Sequence, residues 1–270
     1  MTFAVFALAA LAAAPQWLGP KPPAEVKRVV TVAPSLTETV VALGATESLV
    51  GVSRFDEQAE VAALPRVGGF NDPGVETIVA LKPDLVVVQM SPGNQKPIEQ
   101  LAALGVPILA LPLTSVDDVL MAMTELGRVL HREDAATALV AKFEAVRARV
   151  RAAAKARQKS PSVLLVYGFS PLVVAGPGSF AHELLVDCGA RNAAEKAPTA
   201  YPTYPLERAV KLTPDIIIDA ADTATGRDEV KKLGPLQRAR WVTLTSKALL
   251  HPGPALVSGL DGLCTLLFPH

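Results

Sequence analysis

Short runs of β-branched and aliphatic residues alternate with segments of helical period through most of the chain. In the first half, the runs that predict strands are 29–32, 49–52, 85–88 and 108–111. The segments in which apolar residues recur every three or four positions are 37–43, 98–104 and 116–130. Strands that alternate with helices in this way predict an α/β lobe with a mainly parallel sheet.

A different pattern occupies residues 132–159, which are rich in Ala, Arg, Lys and Glu and contain neither Gly nor Pro. Its apolar positions fall at helical spacing and predict one long helix. After Pro161 the alternation resumes, and the runs that predict strands are 163–166, 216–218 and 242–244. The chain is therefore expected to form a second α/β lobe beyond the long helix.

An internal repeat supports two similar lobes. The stretch ETIVALKPDLVVV begins at Glu76, and ERAVKLTPDIIID begins at Glu207. Each copy predicts a short helix, a Pro-Asp turn that ends it and a buried parallel strand. The predicted domains are an N-terminal α/β lobe over 25–131, a connecting helix over 132–159 and a C-terminal α/β lobe over 160–270. A ligand site is expected in the cleft between the lobes, where carboxyl ends of parallel strands meet.

The N-terminal segment 1–24 is predicted to be a signal peptide and tether. Residues 1–14 form an apolar run that ends in three alanines, as secretory signals do, and the run is too short to span a bilayer. A buried N-terminal helix is the alternative interpretation. No Cys lies near the cleavage region, so the sequence predicts a periplasmic protein without a lipid anchor.

Composition narrows the classes of function. Twenty-six basic residues balance twenty-six acidic ones, which argues against nucleic acid and anionic membranes as partners. Two cysteines, Cys188 and Cys264, are too few for a metal cluster, and in an exported chain they favour a disulfide. The four histidines lack ligand spacing, so no metal site is predicted. The chain has no phosphate-binding loop and no nucleophile elbow, so an α/β hydrolase-like enzyme is only a remote alternative.

The motifs together resemble a known class of proteins. They are the RVVTVAPSLTE stretch from Arg28, the turn at 50–53, the repeats at Glu76 and Glu207 and the single long helix. In this order they resemble the substrate-binding proteins of ABC importers for cobalamin, haem and siderophores. The resemblance implies two lobes bridged by a stiff helix, a monomer without a resident cofactor, and delivery of a small molecule to a dimeric membrane permease without catalysis.

The resemblance also implies roles for individual residues. The positions that match cleft-lining aromatic residues of the family are Phe55, Phe70, Tyr201 and, more loosely, Tyr167. Glu76 and Glu207 match the glutamates that meet arginines of the permease, and the paired cysteines match Cys188 and Cys264. Cobalamin or a related corrinoid is the expected ligand. Haem or a ferric siderophore is the alternative, since a cleft tyrosine is a suitable axial ligand for haem iron.

Overall fold

Two sheets dominate the structure, a computed structural model that describes residues 14–91, 93–221, 223–244, 247–249 and 251–269. The strands of the first sheet are β1 (Gln16–Leu18), β2 (Val29–Thr31), β3 (Leu49–Gly51), β4 (Leu85–Val88) and β5 (Ile108–Ala110). Their order is β1-β5-β4-β2-β3, with β1 antiparallel and the others parallel.

The second sheet also has five strands. Its strands are β6 (Ser162–Phe169), β7 (Leu172–Val174), β8 (Arg191–Asn192), β9 (Ile216–Asp219) and β10 (Arg240–Thr243). They run in the order β10-β9-β6-β7, and β8 pairs with the start of β6. Only β7 is antiparallel to its neighbour. The expected architecture of two mainly parallel sheets with flanking helices is confirmed.

Helices cover the faces of both sheets. Those of the first half are α1 (Pro34–Ala42), α2 (Val75–Ala80), α3 (Gln95–Ala103) and α4 (Val116–Val129). Helix α5 (Glu133–Lys155) connects the halves. Those of the second half are α6 (Phe180–Asp187), α7 (Leu206–Ala209), α8 (Arg227–Lys231), α9 (Gly234–Arg238) and α10 (Leu256–Leu267).

The connecting helix α5 packs against both halves. Gly127 of α4 lies so close to Ala136 of α5 that a Cβ at position 127 would come within 2.4 Å of the alanine Cβ, so only glycine fits there. At the other end Arg149 pairs with Asp261 of α10. Phe143, Val150 and their neighbours bury one face of α5 in a core that includes residues of both halves. The helix therefore shares one of the core clusters with both halves.

The repeat seen in the sequence is also a repeat in the backbone. Lys82 and Thr213, each six residues after its glutamate, adopt positive φ values of 48° and 42°. In the next turn Asp84 accepts hydrogen bonds from the N–H groups of Lys27 and Arg28 at 2.9 Å, and Asp215 accepts one from that of Ser162 at 2.7 Å. Each aspartate thus fixes the start of the neighbouring parallel strand, β2 or β6.

The two cysteines are joined. Cys188 follows the last turn of α6, Cys264 lies on α10, and their Cα atoms are 5.2 Å apart. Both side chains lie in the core that α5, α6 and α10 share. The expected disulfide between a helix end and the C-terminal helix is therefore present in the structure.

Part of the predicted tether belongs to the first sheet. Residues 16–18 form β1 on the edge beside β5, and the prolines at 15 and 20 bound it. A strand of three residues is too short for its alternation to be recognised in the sequence. The predicted signal sequence over 1–13 lies outside the described residues. In the part of the chain that the structure describes, no helix is both long and apolar enough to cross a membrane.

Candidate functional site

The two halves meet through segments that follow strand ends. Thr114, just beyond β5, accepts a hydrogen bond from the Phe180 N–H at 2.6 Å. On the other flank, Glu38 of α1 contacts His251, which follows β10, with 3.0 Å between Oε1 and Nδ1. We refer to the region between these two contacts as the cleft. Its borders are the loops at the carboxyl ends of the two sheets, where ligand sites of α/β proteins are found.

Two adjacent loops form the rim of the first half. Arg54 pairs with Asp72 at 2.8 Å and lies over the Phe55 ring, 4.9 Å from its centroid. Phe55 itself is 54% exposed. The Phe55 ring closely covers Gly69, where a Cβ would come within 2.6 Å of ring carbon Cε2. The rim therefore presents an aromatic face that is supported from below but open to solvent.

Asn94 fixes the loop that carries Phe70. The asparagine is fully buried, and its Nδ2 donates to the carbonyls of Phe70 at 2.6 Å and Gln89 at 2.7 Å. Its Oδ1 accepts from the Ser91 N–H at 2.9 Å. Sequence reasoning missed this residue, because an Asn before a helix suggests a local cap and α3 receives no cap bond from it. Phe70 itself packs partly against the shared core.

A small cavity lies where β4 and β5 end. It measures about 180 Å³, and residues that line it include Gln89, Met90, Leu111 and Leu113. The two residues that follow β4 are therefore accessible at the edge of the first sheet. The amide of Gln89 and the thioether of Met90 give this edge a flexible, uncharged surface.

Aromatic side chains also cluster on the second half. Tyr167, near the end of β6, makes an edge contact with Tyr201 at 5.7 Å, and Phe180 lies 6.5 Å from the same ring. Tyr201 is 38% exposed, whereas Tyr167 is largely buried. The loop of Tyr201 passes so close to β7 that a Cβ on Gly176 would come within 2.1 Å of the Thr199 carbonyl oxygen. Glycine at 176 thus sets the position of the Tyr201 loop.

Both phenols are held in the neutral form. Burial raises the pKa of Tyr167 well above its usual value, and Tyr201 adds to the shift. Burial also raises the pKa of Tyr201, with further contributions from the charges of Asp118 and Glu183. The Tyr167 hydroxyl oxygen is inaccessible and has no hydrogen-bond partner.

A buried ionic network ties α4, α5 and α6 together beside the cleft. Arg147 of α5 contacts Asp187 at 2.6 Å and Glu183 at 3.0 Å, both on α6. Glu183 also accepts a hydrogen bond from the Val116 N–H, at the start of α4, at 3.2 Å. Burial raises the pKa of Glu183, while the Val116 N–H and Arg147 oppose the shift. The network joins the connecting helix to α6 through Arg147 and joins α6 to the start of α4 through Glu183.

Asp56 lies beneath the first rim, directly after Phe55, and is 4% exposed. Its Oδ2 accepts from the Thr37 hydroxyl at 3.0 Å, and its Oδ1 has no partner. Burial raises the pKa of this carboxyl from 3.8 to about 6, although Thr37, the Ser53 N–H and Arg66 act against the shift. A carboxylate that is costly to ionise is therefore held under the loop that presents Phe55.

We expect Asp56→Asn to stabilise the protein at neutral pH. Because the folded-state pKa lies above the unfolded one, the folded state binds the proton more tightly, and stability falls as pH rises from about 4 through 6. Removing the charge should raise the free energy of unfolding by roughly 1 to 3 kcal/mol at pH 7.5, and by much less at pH 4. Urea unfolding at both pH values, with the exposed Asp134→Asn as control, measures this. A variant that is less stable at pH 7.5 would show that the charge is stabilising.

The two repeat glutamates are exposed in the first turns of α2 and α7. Among the described residues neither Glu76 nor Glu207 makes an ion pair. An exposed aliphatic side chain lies beside each, Val79 at 37% and Leu206 at 39%. Each half therefore carries an unpaired carboxylate next to a small apolar surface, a combination suited to protein contact.

The described histidines each contact a residue of another segment of the chain. His131 contacts the Ala24 carbonyl and His182 contacts the Asn192 amide, each at 3.1 Å. His251 pairs with Glu38, and His270 lies outside the described residues. Across the described ranges, no three His, Cys, Asp or Glu side chains are grouped so as to hold a metal ion.

Comparisons with known proteins give one consistent family. A vitamin B12-binding protein of Salmonella paratyphi A is 28% identical over 265 residues, which cover 96% of this chain and 95% of that protein. One from Pectobacterium carotovorum is 26% identical over 243 residues, which cover 89% of this chain and 88% of that protein.

Solved structures show the same fold. A periplasmic haem-binding protein from Pseudomonas aeruginosa superposes with a TM-score of 0.77 at 28% identity, over 90% of this chain and 93% of that one. A periplasmic vitamin B12-binding protein of Vibrio cholerae superposes with a TM-score of 0.76 at 21% identity, over 91% and 98%. The family model described as periplasmic binding protein matches residues 29–236, most of the chain, and the chain therefore belongs to the periplasmic binding protein family.

Proposed function

We propose that this protein is exported to the periplasm, binds cobalamin or a related corrinoid in the cleft and delivers it to the permease of an ABC importer. The observation that carries the proposal is the likeness to vitamin B12-binding proteins over 96% of the chain. Aromatic residues at both borders of the cleft support it, because flat macrocycles bind well to aromatic faces. The four residues are Phe55, Phe70, Tyr167 and Tyr201.

Haem is the second candidate, because a haem-binding protein is equally similar in sequence and fold. The Tyr167 hydroxyl oxygen is inaccessible, so the exposed Tyr201 is the candidate axial ligand to haem iron. Titrating the purified protein with haemin and recording the visible spectrum separates the two ligands. A saturable Soret shift, with no retention of cyanocobalamin in equilibrium dialysis, would show that the ligand is haem and not a corrinoid.

Replacing either Phe70 or Tyr201 by Ala should weaken corrinoid binding by about 1 to 3 kcal/mol, because each substitution removes an aromatic face from one side of the cleft. Calorimetry gives the affinity, and thermal unfolding tests whether the fold is intact. Trp17→Ala is the matched control, because Trp17 is an aromatic side chain 40% exposed on the edge strand β1. A Phe70 or Tyr201 variant that melts early and yet binds normally would identify the ring as a core-packing residue.

For delivery, we propose that Glu76 and Glu207 dock the protein on the permease. The acids occupy the same place in the two repeats, so their arrangement would match a membrane partner with two-fold symmetry. Helix-dipole stabilisation explains each acid separately but leaves unexplained the exposed aliphatic residue beside each. Charge pairs at such an interface mainly speed encounter and fix orientation, and docking should therefore be sensitive to salt.

A further inference from the structure

One buried side chain joins two loops of the first half. Asn94 Nδ2 donates to the carbonyls of Phe70 and Gln89, and its Oδ1 accepts from the Ser91 N–H. Both donors of the amide and its oxygen are thereby used. Gln89 and Ser91 follow β4, the central strand of the sheet, whereas Phe70 lies in the loop before α2. The amide therefore sets the position of one loop relative to the other.

The position of Asn94 in the interior makes this link difficult to replace. A second contact between the same loops, from Ser91 Oγ to Asn71 Oδ1 at 2.9 Å, lies at the exposed surface, where water can substitute for either partner. Asn94 is fully buried. Its removal would leave the Phe70 and Gln89 carbonyls without this donor in the interior, which is more costly than the loss of a surface hydrogen bond.

The groups that Asn94 holds lie at the carboxyl edge of the first sheet, where ligand sites of α/β proteins are found. Gln89 and Met90 line the cavity at this edge. Thr114 lines the same cavity, and its carbonyl makes the contact with the second half at the border of the cleft. Phe70 is half-buried and is one of the proposed ligand contacts. Asn94 thus lies beneath accessible residues and has no surface of its own to offer a ligand.

We propose that Asn94 is a positioning residue for ligand binding, which holds Phe70 and the edge formed by Gln89 and Met90 in the arrangement that the ligand meets. The inference rests on the proposed function and adds a residue that acts on the ligand only through others. Loops that are already in place lose less conformational freedom when a ligand binds, and the ligand binds more tightly for that reason. Without the amide, part of the binding free energy would be spent on ordering the two loops.

The first test is the affinity of Asn94 variants for cyanocobalamin, measured by calorimetry at a temperature where thermal unfolding shows each variant to be folded. Asn94→Ala should bind about tenfold more weakly than wild type. Asn94→Asp keeps the shape of the side chain and the acceptor for the Ser91 N–H but loses both donors. It should weaken binding by a similar factor, and it serves if the alanine variant does not fold. Wild-type affinity in a folded variant would overturn the inference.

A double-mutant cycle with Phe70→Ala separates positioning from a general structural role. If Asn94 acts largely through the ring of Phe70, removing that ring removes most of what the amide contributes to binding. In the Phe70→Ala background, Asn94→Ala should therefore weaken cyanocobalamin by only about threefold, the part that passes through Gln89 and Met90. An undiminished tenfold loss in that background would contradict the inference, because the two substitutions would then act independently.

The matched control is Asp84→Ala, at the opposite end of β4. Asp84 also joins distant segments through backbone hydrogen bonds, which it accepts from the N–H groups of Lys27 and Arg28 at 2.9 Å. Its loss should lower the midpoint of thermal unfolding and leave the affinity for cyanocobalamin unchanged. An equal loss of affinity in Asp84→Ala would show general loosening of the sheet and contradict the inference. Failure of wild type to bind cyanocobalamin would instead contradict the proposed function itself.

Discussion

Changing both Glu76 and Glu207 to Ala should abolish uptake of the ligand by cells while leaving its affinity in solution nearly unchanged. Both acids are exposed and lie outside the aromatic borders of the cleft, so their loss removes no proposed ligand contact. Each acid is proposed to make one of two contacts with a two-fold permease, and each single variant should therefore retain partial uptake. The assay is accumulation of labelled cobalamin in cells that carry the cognate permease and no other copy of this protein.

A matched pair controls for loss of charge at helix starts. Glu133 and Glu229 are likewise exposed glutamates in first turns, on α5 and α8. Their joint replacement by Ala should cost a similar helix-dipole contribution, about 0.3 to 1 kcal/mol each, and leave uptake normal. Normal uptake by the Glu76 and Glu207 double variant, or loss of ligand binding in it, would show that the docking assignment is wrong.

Reducing the Cys188–Cys264 disulfide should lower the free energy of unfolding by about 4 kcal/mol. The bond spans a sequence separation of 76 residues, and in the chain-entropy model closing a loop of this length restricts the unfolded chain by that amount. Because the cysteines link α6 to α10, the loss should fall on the second half. Urea unfolding with and without reductant measures the difference.

The Cys188→Ala and Cys264→Ala double variant is the control for this experiment. Its unfolding curve should match that of the reduced wild type, apart from the small cavities left by the lost sulfurs, and reductant should not change it. Thiol titration of the denatured wild type should detect cysteines only after reduction. Equal thiol titres before and after reduction would contradict the disulfide.

The sequence predicted those features that depend on local pattern. Strands β2, β4 and β9 contain the aliphatic runs at 29–30, 85–88 and 216–218, and a parallel strand buried on both faces requires such a run. The long helix lacks Gly and Pro, and the structure shortens the predicted 132–159 to Glu133–Lys155 because its last residues leave the helix at Ala156. The glutamates at the repeat starts lie in helix first turns, as expected.

Features that depend on contacts between distant segments could not be predicted from the sequence. Asn94 holds Phe70 through a carbonyl 24 positions away, and nothing in the local sequence indicates this partner. Nor does the local sequence indicate that Arg147 of the long helix is buried against Asp187, 40 residues later.

The cleft roles of Phe55, Phe70, Tyr167 and Tyr201 remain predictions after the structure. Phe55 and Tyr201 are exposed, as ligand-contacting rings are before the ligand binds, and Tyr167 supports Tyr201 from beneath. That Phe70 faces Tyr201 across the cleft stays a prediction. The Ala variants proposed above address this point.

The central claim, that the cleft holds a corrinoid, is tested most directly by calorimetric titration of the purified protein with cyanocobalamin. We predict a saturable heat signal with one molecule bound per chain. Absence of heat with cyanocobalamin, together with saturable binding of haemin, would contradict the claim.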